Sequence, residues 1–154
     1  MSIGQDLQVK QFQDEWHEAT INIVYTSGCL SKELEKRANK KQITLQQFNV
    51  LRILRGQYPN TATNMLIKER MVSDSADISR LVDRLVLKEL VSRCKNKVDK
   101  RAVDLLITEK GLALLDELKE EMSLMDLLPQ RITKEEAKLL SNLLDKIRGN
   151  CSME

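Results

Sequence analysis

Helical spacing of apolar residues runs along almost the whole chain and breaks once, at residues 90–107. Upstream, Val9, Phe12, Trp16, Ala19, Ile23, Thr26 and Leu30 step by threes and fours, which predicts one long helix over 7–37, crossed by Gly28. Ile43 to Gln57 predicts a second helix. Thr44 and Gln47 make a capping box at its start, Phe48, Leu51 and Leu54 form its apolar face, and Pro59 follows its end. A short helix over Thr63 to Arg70, a turn through Met71 and Val72, and a helix capped by Ser73 or Asp74 and ending near Leu90 come next. The last of these has an inner face of Ile78, Leu81, Val82 and Leu85.

At the break, Leu90 to Cys94 and Ala102 to Ile107 are short and partly β-branched, and they flank a polar tip, residues 95–101. That pattern predicts a β-hairpin. Helical spacing then resumes. Thr108 opens a helix with Leu112, Leu115, Leu118, Met122 and Met125 on one stripe. Thr133 and Glu136 form a second capping box before a last helix carrying Leu139, Leu140, Leu143, Leu144 and Ile147. The expected fold is mainly α with a small β-hairpin wing: a winged helix-turn-helix with N- and C-terminal dimerisation helices. One domain of 154 residues is expected, with residues 1–40 and 109–154 supplying the dimerisation helices and residues 43–108 the winged lobe.

Composition excludes most chemistry. One histidine, His17, removes His-based metal sites and triads. No glycine-rich phosphate loop, Cys/His cluster or nucleophile–base set is present. No catalysis, cofactor or metal is expected. Cys29, Cys94 and Cys151 are an odd, widely spaced set, which fits a reducing compartment and predicts a cytoplasmic protein. Cys29 is expected to be a buried, inert side chain. No uncharged apolar run approaches the roughly 20 residues of a membrane span, and the first ten residues have no secretion-signal pattern.

Charge points to a partner. The net charge is only +2, but residues 68–101 hold ten basic and six acidic side chains. Within residues 91–101, Arg93, Lys95, Lys97, Lys100 and Arg101 face a single Asp99. A cationic ribbon tip suits the minor groove or backbone of duplex DNA. On the preceding helix, Ser75, Ser79, Arg80 and Arg84 lie on the outer side, where side chains reach base edges or phosphates. Asp74 and Asp77 sit awkwardly there unless one caps the helix or orients an arginine. The plainer alternative for both elements is a charged, solvated surface.

Several blocks resemble the MarR family of bacterial winged-helix regulators: Arg80-Leu-Val-Asp-Arg-Leu85, Leu90-Val91 with Arg93, Asp99-Lys-Arg101, and Thr108-Glu-Lys-Gly111, with Ile43-Thr44, Phe48 and Leu51 upstream. The resemblance spans residues 43–111. It implies a sequence-specific, double-stranded DNA-binding transcriptional regulator: a homodimeric, ligand-responsive repressor on a pseudo-palindromic operator, released by a small aromatic or anionic effector. It also implies that residues 75–84 form the recognition helix, that Arg101 is the wing arginine of the minor groove, and that Asp99 is a structural wing residue holding a neighbouring arginine. Three features depart from the family pattern. Glu89 stands where glycine usually ends the recognition helix, predicting a different turn into the ribbon. Lys97 replaces the usual wing proline, and the recognition helix is unusually acidic. Two other readings remain open: a winged-helix protein-interaction module, and a thiol-based redox sensor on the same fold. The spacing of the peroxide-sensing relatives is missing, because Ile21 stands one turn before Tyr25.

Overall fold

The computed structural model describes residues 2–71, 77–96 and 103–149. Its elements in chain order are α1 (Ile3–Asp6), α2 (Glu15–Lys40), α3 (Leu45–Gln57), α4 (Asn64–Arg70), α5 (Ile78–Leu87), β1 (Val91–Lys95), β2 (Val103–Ile107), α6 (Glu109–Met122) and α7 (Lys134–Arg148), with a 3-10 turn at Leu128–Gln130. Contacts divide the chain into two compact units, residues 1–116 and 117–154.

The long N-terminal helix starts later than its apolar stripe suggests. Asp14 is extended, and its carboxylate accepts from the His17 N–H at 2.7 Å, so the cap fixes the first turn at Glu15. Val9 and Phe12 therefore fall outside the helix, in a segment where Gln8 takes a positive φ of 55°. From Glu15 the helix runs unbroken through Gly28 to Lys40.

In the first unit α3 is the central element and packs against α2, α4, α5 and β2. The predicted capping box forms at both ends of its reciprocal pair: Thr44 Oγ1 accepts from Gln47 N–H, and Gln47 Oε1 accepts from Thr44 N–H. The Glu35 carboxylate of α2 takes a further first-turn amide, that of Leu45, at 2.8 Å. Val50, Leu51, Leu54, Ile67, Val82, Leu85, Val91, Leu105 and Ile107 form the core. Burying each such side chain contributes about 1.5–3 kcal/mol.

β1 and β2 pair antiparallel, with Val91 opposite Ile107 and Lys95 opposite Val103. Ala62, just before α4, adds a third line of pairing through two backbone hydrogen bonds with Leu105. The turn from α5 into β1 corrects the expectation raised by Glu89. The Glu89 amide donates to Val86 O and the Leu90 amide to Leu85 O, the bonding of a glycine-type helix ending. Glutamate simply occupies the left-handed position, at φ 60°.

In the second unit, the Thr133–Glu136 capping box opens α7 as its sequence predicts. Leu139, Leu140, Leu143 and Ile147 of α7 stand exposed on this single chain.

Candidate nucleic-acid interface

α5 presents two chemically distinct sides. Ile78, Leu81, Val82 and Leu85 are buried, while Ser79, Arg80, Asp83 and Arg84 are exposed. The helix begins at Ile78, and the expected caps, Ser73 and Asp74, lie outside the described residues. The cap is Asp77, whose carboxylate accepts from the Arg80 N–H at 3.1 Å. This gives one awkward aspartate a structural role: it satisfies a first-turn amide beside the arginines. Ser75 and Asp74 lie outside the described residues.

Arg80 and Arg84 share a cleft of about 310 Å³ with Leu81, Asp77 and Gln46 of α3. Gln46 was not singled out by the sequence, since a lone glutamine on another helix, far upstream of Arg80, carries no signal. Arg93 and Lys95 extend the cationic surface along β1, both exposed. Arg93 forms an ion pair with Asp83 of α5, so one side chain expected to meet DNA also ties the ribbon to the helix. This pairing is non-local and was not legible in the sequence. At roughly half exposure, such a pair contributes well under about 1 kcal/mol. Lys97, Asp99, Lys100 and Arg101, the rest of the predicted wing, lie outside the described residues.

Behind this surface, Asp104 of β2 is nine-tenths buried. Its Oδ2 accepts from Thr61 Oγ1 and its Oδ1 from Asn96 Nδ2, each at 2.9 Å. At the other end of the ribbon, Thr108 Oγ1 donates to Glu89 O at 2.7 Å and accepts from the Gly111 N–H.

Cys29 is exposed on α2, at the edge of an open cleft it shares with Tyr25 and with Ile3 and Asp6 of α1, which corrects the expectation of burial. Tyr25 stands one turn earlier. The electrostatic effect of the neighbouring Cys29 chiefly raises the Tyr25 phenol above its usual value, with smaller contributions from burial and from Asp6. Cys94 is half-buried on β1, and Cys151 lies outside the described residues. Among the described residues no helix is long and apolar enough to cross a membrane, and no His/Cys/Asp/Glu cluster has the makings of a metal site.

The MarR family model matches residues 43–103, from the capping box of α3 to the first residue of β2. The reduced form of MarR from E. coli is 30% identical, superposes with a TM-score of 0.67, and is matched over 81% of this chain and 92% of its own. The chain belongs to the MarR family of transcriptional regulators. A cysteine-to-serine mutant of E. coli MarR complexed with operator DNA is 26% identical, with a TM-score of 0.71 over 88% of this chain and 99% of that one. The transcriptional repressor NicR of Pseudomonas putida is 39% identical over 82 residues, 53% of this chain. The chain spans 51% of NicR, and 64% of the Bacillus subtilis regulator YpoP, to which it is 29% identical over 93 residues. These likenesses, and the winged helix itself, agree with the fold expected from the sequence. They favour a regulator over a protein-docking module or a thiol sensor.

Proposed function

We propose that this member of the family is a cytoplasmic homodimer that represses transcription by binding a pseudo-palindromic operator, with no catalysis of its own. The observation that carries the reading is the outer side of α5. Ser79, Arg80 and Arg84 stand exposed there, on a helix whose other side is locked into the core and whose flank is pinned to a cationic ribbon by Asp83 and Arg93. That placement suits a major groove read by the helix beside a minor groove or backbone met by the wing, Lys95, Lys97, Lys100 and Arg101 included. Asp99 is proposed as a structural residue of the wing.

Residues 43–108 are the DNA-binding lobe. Residues 1–40 and 109–154 are the dimerisation helices, a role supported by the exposed apolar residues Leu139, Leu140, Leu143 and Ile147 of α7 and Trp16, Ile23 and Val24 of α2. Two-fold symmetry then sets the half-sites about one helical turn apart. A small aromatic or anionic effector fits the cleft of about 500 Å³ bordered by Ser31, Lys32 and Glu35 of α2 and Thr44, Leu45 and Asn49 at the start of α3. It releases DNA only insofar as it binds one spacing of the two lobes better than the other.

Gel shifts across a salt series, on duplexes selected by the purified protein, test the reading. Arg101→Ala is expected to weaken binding and lower the salt slope by about one. Ser79→Ala and Arg80→Ala are expected to change sequence preference. Duplex binding that is absent, alongside saturable capture of a protein ligand through the wing, would overturn it.

A further inference from the structure

Asp104 is a buried carboxylate in a ribbon whose other described charges, Arg93 and Lys95, are exposed. It sits opposite Cys94, on the other face of β2 from Leu105. Its two oxygens hold two separate pieces of chain: Thr61, one residue before the backbone pairing of Ala62 with Leu105, and Asn96, one residue past the end of β1. Six residues, Lys97, Lys100 and Arg101 among them, separate Asn96 from Val103. One side chain therefore ties together the departing end of the wing tip, the returning strand, and the segment that leads into the helix-turn-helix at Thr63.

Burying a carboxyl group is costly unless its lone pairs are bonded, and here two neutral donors, Thr61 Oγ1 and Asn96 Nδ2, bond one oxygen each. The arrangement fixes three pieces of chain in direction: β2, the residue past β1, and the segment before α4. We propose that Asp104 is a positioning residue that sets the path on which the cationic tip leaves the ribbon, so that the tip and Arg80 and Arg84 of α5 engage one duplex together. The proposal rests on the DNA-binding reading above.

The test uses the full chain and a duplex selected by the wild type. Asp104→Asn keeps the volume, but its one remaining oxygen no longer serves both donors as a carboxylate does. Thr61→Val removes one bond and leaves the Asp104–Asn96 bond intact. Affinity is expected to fall about tenfold for Asp104→Asn and about threefold for Thr61→Val, the cost of ordering on binding what the two bonds, or the one, hold in place beforehand. The deciding readout is methylation interference. Minor-groove interference at adenine N3 should fade while major-groove interference at guanine N7 persists, and the salt slope should fall as wing cations disengage. A merely structural role would weaken both groove signals together, and that result overturns the proposal, as does wild-type binding by both variants. If Asp104→Asn fails to fold, Thr61→Val decides. A wild type that binds no duplex overturns the DNA-binding reading, and this inference with it; a wild type that binds beside indifferent variants overturns this inference alone.

Discussion

Replacing Gly111 with alanine should destabilise the lobe where α6 leaves the ribbon. Gly111 does not need its glycine for backbone freedom, since no glycine among the described residues has a positive φ. It needs the space. A β-carbon there would fall well inside van der Waals contact of the Leu90 carbonyl oxygen and 2.7 Å from Ile107 Cγ1. Neither neighbour yields easily: Ile107 is core, and the Leu90 carbonyl already accepts from the Thr108 amide at 3.1 Å. Overpacking against such a wall costs about 1–3 kcal/mol, and straining the Thr108–Leu90 bond adds up to about 1 kcal/mol. The better helix propensity of alanine returns about 1 kcal/mol. The net expectation is a loss of about 2 kcal/mol, or roughly 4–8 °C in melting temperature for a chain of this size. Thermal melts at one fixed protein concentration measure it, because a dimer's melting point shifts with concentration. Gly56→Ala is the control. Gly56 also lies in a helix, but nothing stands within 4 Å of its added carbon, so that variant should gain about 0.5–1 kcal/mol. A Gly111→Ala protein melting at or above wild type, or two glycine variants falling alike, would refute the packing argument.

Two further outcomes follow from α5 and the turn that ends it. Glu89→Gly should stabilise by about 1 kcal/mol in urea titrations, because it relieves a left-handed residue and forfeits only the exposed Lys110–Glu89 pair at 3.0 Å; unchanged or lower stability would show that Glu89 carries no strain. Asp83→Asn should raise affinity for any duplex about two- to fivefold in gel shifts, since it frees the Arg93 guanidinium and removes a negative charge beside the DNA-facing side, with stability moving by less than about 1 kcal/mol. Weaker binding would mean that the pair is needed to hold β1 against the helix.

Where a feature depends on neighbours along the chain, the sequence carried it. Apolar spacing located α3, α4, α5, α6 and α7, and hydroxyl–amide or hydroxyl–carboxylate pairs three apart marked the starts of α3 and α7 at the residues observed. A change of period located the ribbon, to within a residue of β1 and β2. The first helix start misled because apolar stripes extend beyond the residue whose side chain caps the helix. Asp14, not Val9, decided it. For α5, Ser73, Asp74 and Asp77 were all candidate caps, and only the folded backbone shows Asp77 bonded to a first-turn amide.

Composition and periodicity thus determined that this chain is helical, that it has one cationic ribbon, and that the ribbon follows a helix-turn-helix, because these are properties of residues a few positions apart. Tertiary structure alone decided that Asp83 holds Arg93, that Gln46 joins Arg80 and Arg84 in one cleft, and that Asp104 binds Thr61 and Asn96. Those partners lie between eight and forty-three residues apart in the chain or on different elements. Only the closing of the core around α3 brings such side chains within bonding distance, and no local pattern encodes which of many candidates will meet.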